Sequence, residues 1–146
     1  MFKIKTIVVA TFILISQQLY AAQSVEEIIK GRKAMFSEDY QNAKKISILL
    51  KSKKIEEAKP RMKKISDNYK KLLDYFPENT KEGFKTEALP SIWENKDEFN
   101  ALMQKASDDM LKLAKAIDTA ENLRAVQKEL MWSNCSACHS KFRAPH

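Results

Sequence analysis

The chain has 146 residues, 44% apolar and 31% charged, with two Gly, four Pro and two Cys. That length gives one ordinary domain with room for a core, and two Cys are too few for a disulfide scaffold. The formal charge of +7 points toward acidic partners or polyanions, and the scarcity of Gly and Pro beside abundant Lys, Glu, Ala and Leu favours an all-helical fold.

Met1, Phe2, Lys3, Ile4 and Lys5 precede an apolar run over residues 6–15, and the small residues Ala21 and Ala22 follow it. This is the pattern of a secretory signal peptide over residues 1–22, its apolar run too short to span a bilayer comfortably. The expected domain is therefore residues 23–146. It stays basic, at +5, once Lys3 and Lys5 leave the +7 chain. Export makes nucleic acid a poor partner and leaves acidic proteins, or solubility alone, as the use of that charge.

Ser24 and Glu27 form a capping box that opens a first helix over about 24–50. Ile29, Phe36, Ala43 and Leu50 recur on its inner face, with Arg32 and Ile46 on the interleaved seam. An arginine there must find an anion or several acceptors, or snorkel to the surface. Ser52 is the expected cap of a second helix, in which Ile55, Ala58, Met62, Ile65, Tyr69, Leu72, Leu73 and Phe76 keep helical spacing. Pro60 should kink that helix or delay its start, and Pro77 should end it. Its opposite face carries Lys53, Lys54, Arg61, Lys63, Lys64, Lys70 and Lys71, either a solvated face or a docking surface.

Residues 78–93 read as the one long connection. Asn95 and Glu98 suggest another capping box, opening a third helix to about residue 117 whose stripe includes Phe99, Leu102, Met103, Ala106, Met110 and Leu113. After a short link at 118–120, a fourth helix from about residue 121 runs through Val126, Leu130 and Met131 to near Arg143. The expected architecture is an antiparallel up-down-up-down four-helix bundle.

That last helix holds Cys135, Ser136, Ala137, Cys138 and His139, the C-x-x-C-H pattern of covalent c-type haem attachment. Positions i, i+3 and i+4 share one helix face. Both thiols can thus add to the vinyl groups of one porphyrin while the imidazole of His139 reaches the iron. A thioredoxin-like disulfide would need a βαβ pattern, and a structural zinc site would need four ligands; the chain's other His is the terminal His146. The expected cofactor is one haem c per chain, held by two thioethers and ligated by His139. Both Cys are then used, and export fits, since c-type haem is attached outside the bacterial cytoplasm.

Four helices with C-x-x-C-H on the last, behind a signal peptide, resemble the cytochrome c prime family. The run Ile29, Lys30, Gly31, Arg32, Lys33, Ala34 resembles the family's first-helix motif, whose arginine reaches a haem propionate; Ile92, Trp93 and Phe99 resemble its entry to the third helix. Arg143, four residues after His139, matches a basic residue the family places beside the proximal imidazole. The residue four after the helix-A arginine separates the family's coordination types, and here it is Phe36. The resemblance thus implies a five-coordinate iron with Phe36 as a lid. The alternative is a six-coordinate, low-spin electron-transfer cytochrome with Met35, on the face of Ile28, Asn42 and Leu49, as distal ligand. Gly31 departs from the pattern by standing where the family often has an aromatic residue.

The resemblance further implies a periplasmic protein and a homodimer formed through the first two helices. An apolar distal side would favour nitric oxide or carbon monoxide over oxygen. Two roles follow, electron carriage with a redox partner, in which the basic face docks an acidic protein, and capture of such gases. No acid, base and nucleophile set suggests an enzyme.

Overall fold

The computed structural model describes residues 23–145, so the expected signal peptide lies outside the described residues. Helix α1, Val25–Lys51, opens on the anticipated capping box: the Ser24 hydroxyl accepts from the Glu27 amide, and the Glu27 carboxylate accepts from the Ser24 amide. Ile29, Arg32, Ala43, Ile46, Leu49 and Leu50 are buried along it. So is Asp39, which continues the seven-residue spacing of Arg32 and Ile46.

Helix α2, Ile55–Leu72, starts after a link of three residues in which Lys53 takes a left-handed conformation (φ 57°). Ser52 is not its cap. The Ser52 amide instead closes α1 by donating to the Ile48 carbonyl, and Lys54 opens α2 with no side-chain cap bond. Pro60 lies inside α2 and does not delay its start; burial of Ala58, Met62, Ile65 and Leu72 compensates the missing amide donor.

The long connection includes the short helix α3, Ser91–Glu94, and leads into α4, Lys96–Ala116. Asn95 occupies the N-cap position of α4, but no capping box forms. Its amide donates to the Ser91 carbonyl, and Glu98 pairs with Lys141 at the far end of the chain. Between α2 and α4, Ser66 and Ser107 are fully buried and share a 2.9 Å hydroxyl contact, small residues that let the two helices approach closely.

The fourth arm of the bundle is composite: α5, Leu123–Gln127, a π-helical turn, Lys128–Trp132, and α6, Ser133–Phe142. It starts two residues later than the sequence suggests, because Asn122 is the cap and accepts from the Ala125 amide at 3.0 Å. Asp109 of α4 anchors this arm. Burial pushes its carboxyl pKa up, but hydrogen bonds from Lys105, Asn134 and Lys112 outweigh that and hold it below its usual value. Asn134, which immediately precedes Cys135, is thereby tied to α4 at 3.1 Å.

The long connection clamps the end of α6. The Leu89 amide donates to the Phe142 carbonyl at 3.1 Å, the Ala144 amide to the Glu87 carbonyl at 2.8 Å, and the Ser91 hydroxyl to the Lys141 carbonyl at 2.8 Å. Among the described residues, no helix is long and apolar enough to cross a membrane.

Two apolar clusters fill the bundle. One gathers Ile46, Leu50, Met62, Met110, Leu113 and Met131; the other gathers Leu72, Phe76, Ile92, Phe99, Met103 and Phe142. Residues of both clusters line a cavity between α1, α2 and α6.

Candidate haem site

A cavity of about 680 Å³ opens between α1, α2 and α6, within the size range of cofactor pockets. Cys135, Cys138 and His139 line it from α6; Phe36, Asp39, Tyr40 and Ala43 line it from α1; Ile65 and Tyr69 line it from α2. The three expected attachment residues thus share one wall, as their i, i+3, i+4 spacing requires.

The thiols are half-buried. Burial raises the Cys138 pKa to about 11 and pushes Cys135 up as well, so both are neutral thiols before attachment. Cys135 Sγ lies 3.6 Å from the Met131 carbonyl, one turn back across the π-helical segment. Tyr69, whose phenol pKa burial raises, hydrogen-bonds Cys135 from α2.

Arg32 is 2% exposed and spends its guanidinium on the long connection. Nη1 donates to the Tyr75 carbonyl at 3.1 Å and the Thr80 hydroxyl at 2.9 Å; Nη2 donates to the Thr80 carbonyl at 2.9 Å and the Thr86 hydroxyl at 2.7 Å. Its Cζ lies 4.6 Å from the centroid of the Phe76 ring. Burial lowers its pKa to about 10, which still leaves it charged at neutral pH. All four acceptors are neutral oxygens, so a guanidinium at the cavity wall is solvated by dipoles and not neutralised by them.

Gly31 explains how the loop comes so close. A Cβ there would stand 2.8 Å from Tyr75 Cε1, so the ring of Tyr75 occupies the space a side chain would need. An aromatic group lies against this point of α1, supplied from the single turn, Leu73–Tyr75, that follows α2.

Phe36 lines the cavity and meets Phe76 edge-on, with ring centroids 6.4 Å apart. Phe76, Phe99 and Phe142 continue the aromatic packing at 4.7 and 5.4 Å. Met35 is outside the lining and packs with the cluster around Leu72 and Phe76. Met110 and Met131 do line the cavity, but both are core residues, and Met131 comes from the same arm as His139.

Helix α6 ends at Phe142, so Arg143 reaches the cavity from extended backbone (φ −122°, ψ 139°) bridged to Ala88, and not from the helical turn after His139. Its Nε is buried with no hydrogen-bond partner. That orphaned donor, the dipole-solvated Arg32 and the apolar lining suit a flat apolar group that carries carboxylates. The cavity therefore fits a porphyrin with propionates: Cys135 and Cys138 could tether it, His139 could take the iron, and Arg32 could meet a carboxylate.

Sequence reasoning missed Asp39, Tyr69 and Trp132 on the lining. Asp39 was findable, since it sits seven residues after Arg32 and three after Phe36 on the inner stripe. Tyr69 keeps the helical spacing of the core residues of α2.

Comparison with known proteins agrees with this geometry. The profile of the family described as Cytochrome C' matches residues 27–143. Cytochrome c' of Rhodopseudomonas palustris is 30% identical over 145 residues, covering 97% of each chain. The crystal structure of cytochrome c' from Rhodopseudomonas palustris superposes with a TM-score of 0.71 at 30% identity, covering 84% of this chain and 98% of that one. A nitric oxide complex of a point mutant of cytochrome c prime from Alcaligenes xylosoxidans shares the fold, with a TM-score of 0.72 at 21% identity over 86% of this chain and 99% of that one. With its helical bundle and its haem c attachment sequence, the chain belongs to the cytochrome c' family.

Proposed function

We propose that this protein is an exported, periplasmic cytochrome in which haem c is five-coordinate and binds nitric oxide or carbon monoxide on the face opposite His139. The observation that carries the reading is the identity of the α1 wall: Phe36 lines the cavity and Met35 does not. A phenyl ring has no lone pair to give iron. When bound, the haem supplies an iron that exchanges one electron and accepts a diatomic ligand.

The residues then take distinct tasks. Cys135 and Cys138 tether the group, and His139 ligates from α6. Arg143, with a buried donor at the cavity, keeps positive charge near the imidazole and so disfavours its becoming a strongly donating imidazolate. Arg32 would face a propionate while it holds the long connection. Phe36 screens the open face. The nitric oxide complex of the mutant Alcaligenes protein is a precedent for such a ligand in this architecture. Residues 1–22 act as a removable export signal, α1 and α2 offer the dimer face, and no catalytic set beyond the haem is invoked.

Phe36→Ala tests the gate. Stopped-flow association of carbon monoxide with the reduced protein is expected to speed up roughly tenfold, the effect of removing about 1.4 kcal/mol of steric barrier. An unchanged rate would remove Phe36 from the role.

The second reading is electron carriage. Lys53, Lys54, Lys63, Lys64, Lys70 and Lys71 are all exposed on and just before α2, a surface suited to an acidic redox partner whose reaction would slow as salt rises.

A further inference from the structure

One turn along α1 from Phe36, Asp39 stands on the wall of the same cavity, 5% exposed. Its Oδ1 accepts from the Asn68 amide at 2.7 Å, and that amide also donates to Glu38 at 2.9 Å. Its Oδ2 is buried with no hydrogen-bond partner. A half-satisfied carboxylate in an apolar wall is poorly stabilised as an anion, and a proton on Oδ2 removes the unsolvated charge.

The groups facing Asp39 do not reverse this. On α1, Glu38 adds like charge; on α2, Lys64 favours the anion but is 3.4 Å from the Glu38 carboxylate. Tyr69 faces it from α2 and Cys135 from α6. The phenol is neutral, and the sulfur no longer titrates once it is a thioether. Burial dominates, and the carboxyl pKa rises to about 7.

We propose that Asp39 is a redox-linked proton acceptor, taking up a proton from water when the haem in this cavity is reduced and releasing it on oxidation. The inference rests on haem occupying the cavity and deepens the reading of that site. A one-electron donor supplies the electron that converts ferric to ferrous iron. In the same event a bond forms between Oδ2 and a solvent proton, and oxidation reverses both changes. Loss of one positive charge nearby raises the proton affinity of a carboxylate, and by linkage the proton makes reduction easier. The expected apolar distal wall therefore carries one group that is a hydrogen-bond donor when protonated.

The test is a spectroelectrochemical titration of the haem-loaded protein from about pH 5 to about pH 9. The wild-type potential is expected to fall with pH near neutrality, approaching a tenfold change in the reduction equilibrium per pH unit, which is about 59 mV for one electron. Asp39→Asn keeps an acceptor for Asn68 but cannot titrate. Its potential is expected to match wild type at acid pH and to lie above it, nearly flat, at alkaline pH. Glu38→Gln should keep the slope. A wild-type potential flat near neutrality would overturn the proposal, and so would the same slope in Asp39→Asn, which would assign it to the propionates.

The wild type alone gives a second readout. Its reduced-minus-oxidised infrared spectrum at neutral pH should gain a protonated-carboxyl C=O band that shifts in heavy water; absence of that band would equally overturn the proposal. Coordination number is read separately from the optical spectrum, so failure here and failure of the five-coordinate reading are distinguishable.

Discussion

Replacing both Cys135 and Cys138 by Ser is expected to abolish covalent haem altogether. The denatured protein should show no haem stain on a gel, where wild type stains fully. The two thiols are the only cysteines in the chain, both line the cavity, and a serine hydroxyl does not form the thioether. The consequence for folding is also large. Bound haem would complete the core, and a cavity of about 680 Å³ left unfilled would deprive Phe36, Tyr69 and Phe99 of a packing partner. The double variant should melt at lower temperature and less cooperatively than wild type. A gel on which it still carries haem would place the attachment elsewhere. Each single variant should keep one thioether and stain.

Arg32→Leu should destabilise the haem-loaded protein by about 3 kcal/mol, because it leaves buried acceptors unsatisfied at roughly 1–3 kcal/mol each without full additivity. Replacing a buried charge by an apolar group is tolerated only when its partners are replaced too. Here the Tyr75 and Thr80 carbonyls and the Thr80 and Thr86 hydroxyls stay behind. The lost guanidinium also uncovers the Phe76 ring. The midpoint in a thermal melt should fall by roughly 10 °C or more for a domain of this size. Arg32→Lys should recover little, since one ammonium cannot replace a fork that reaches four oxygens. Full stability in the Lys variant would mean that charge, and not geometry, is what this site requires.

The bundle was legible in the sequence because its helices are amphipathic and its key signals are local. The Ser24–Glu27 capping box and the inner stripe of α1 read directly onto the fold, as does the shared face of Cys135, Cys138 and His139. What the sequence concealed depends on distant partners. Glu98 is three residues past a good cap, yet the end of α6 brings Lys141 to it, and tertiary pairing overrides the local motif. Ser52 has a capping side chain, but a left-handed Lys53 beside it makes it the end of α1. The π-helical turn of Lys128–Trp132 has no sequence signature, because an extra residue in a turn is set by how Met131 within it and Asn134 just beyond it pack against the rest of the bundle.

The site divides in the same way. Arg32 could be recognised as a buried cation, but its acceptors lie 43 to 54 residues away in a loop without regular pattern. Asp39 breaks the rule that carboxylates face water. Such local inconsistencies concentrate at functional positions, which is why it is the residue to examine for proton coupling.

In the proposed site the iron takes no protein ligand on the face away from His139. The measurement that tests it most directly is the optical spectrum of the haem-loaded protein in both oxidation states. The reduced form is expected to show a broad, unsplit visible band, the signature of high-spin, five-coordinate iron. A sharp low-spin α-band in the reduced protein, abolished by Met35→Leu, would contradict it and make Met35 the sixth ligand.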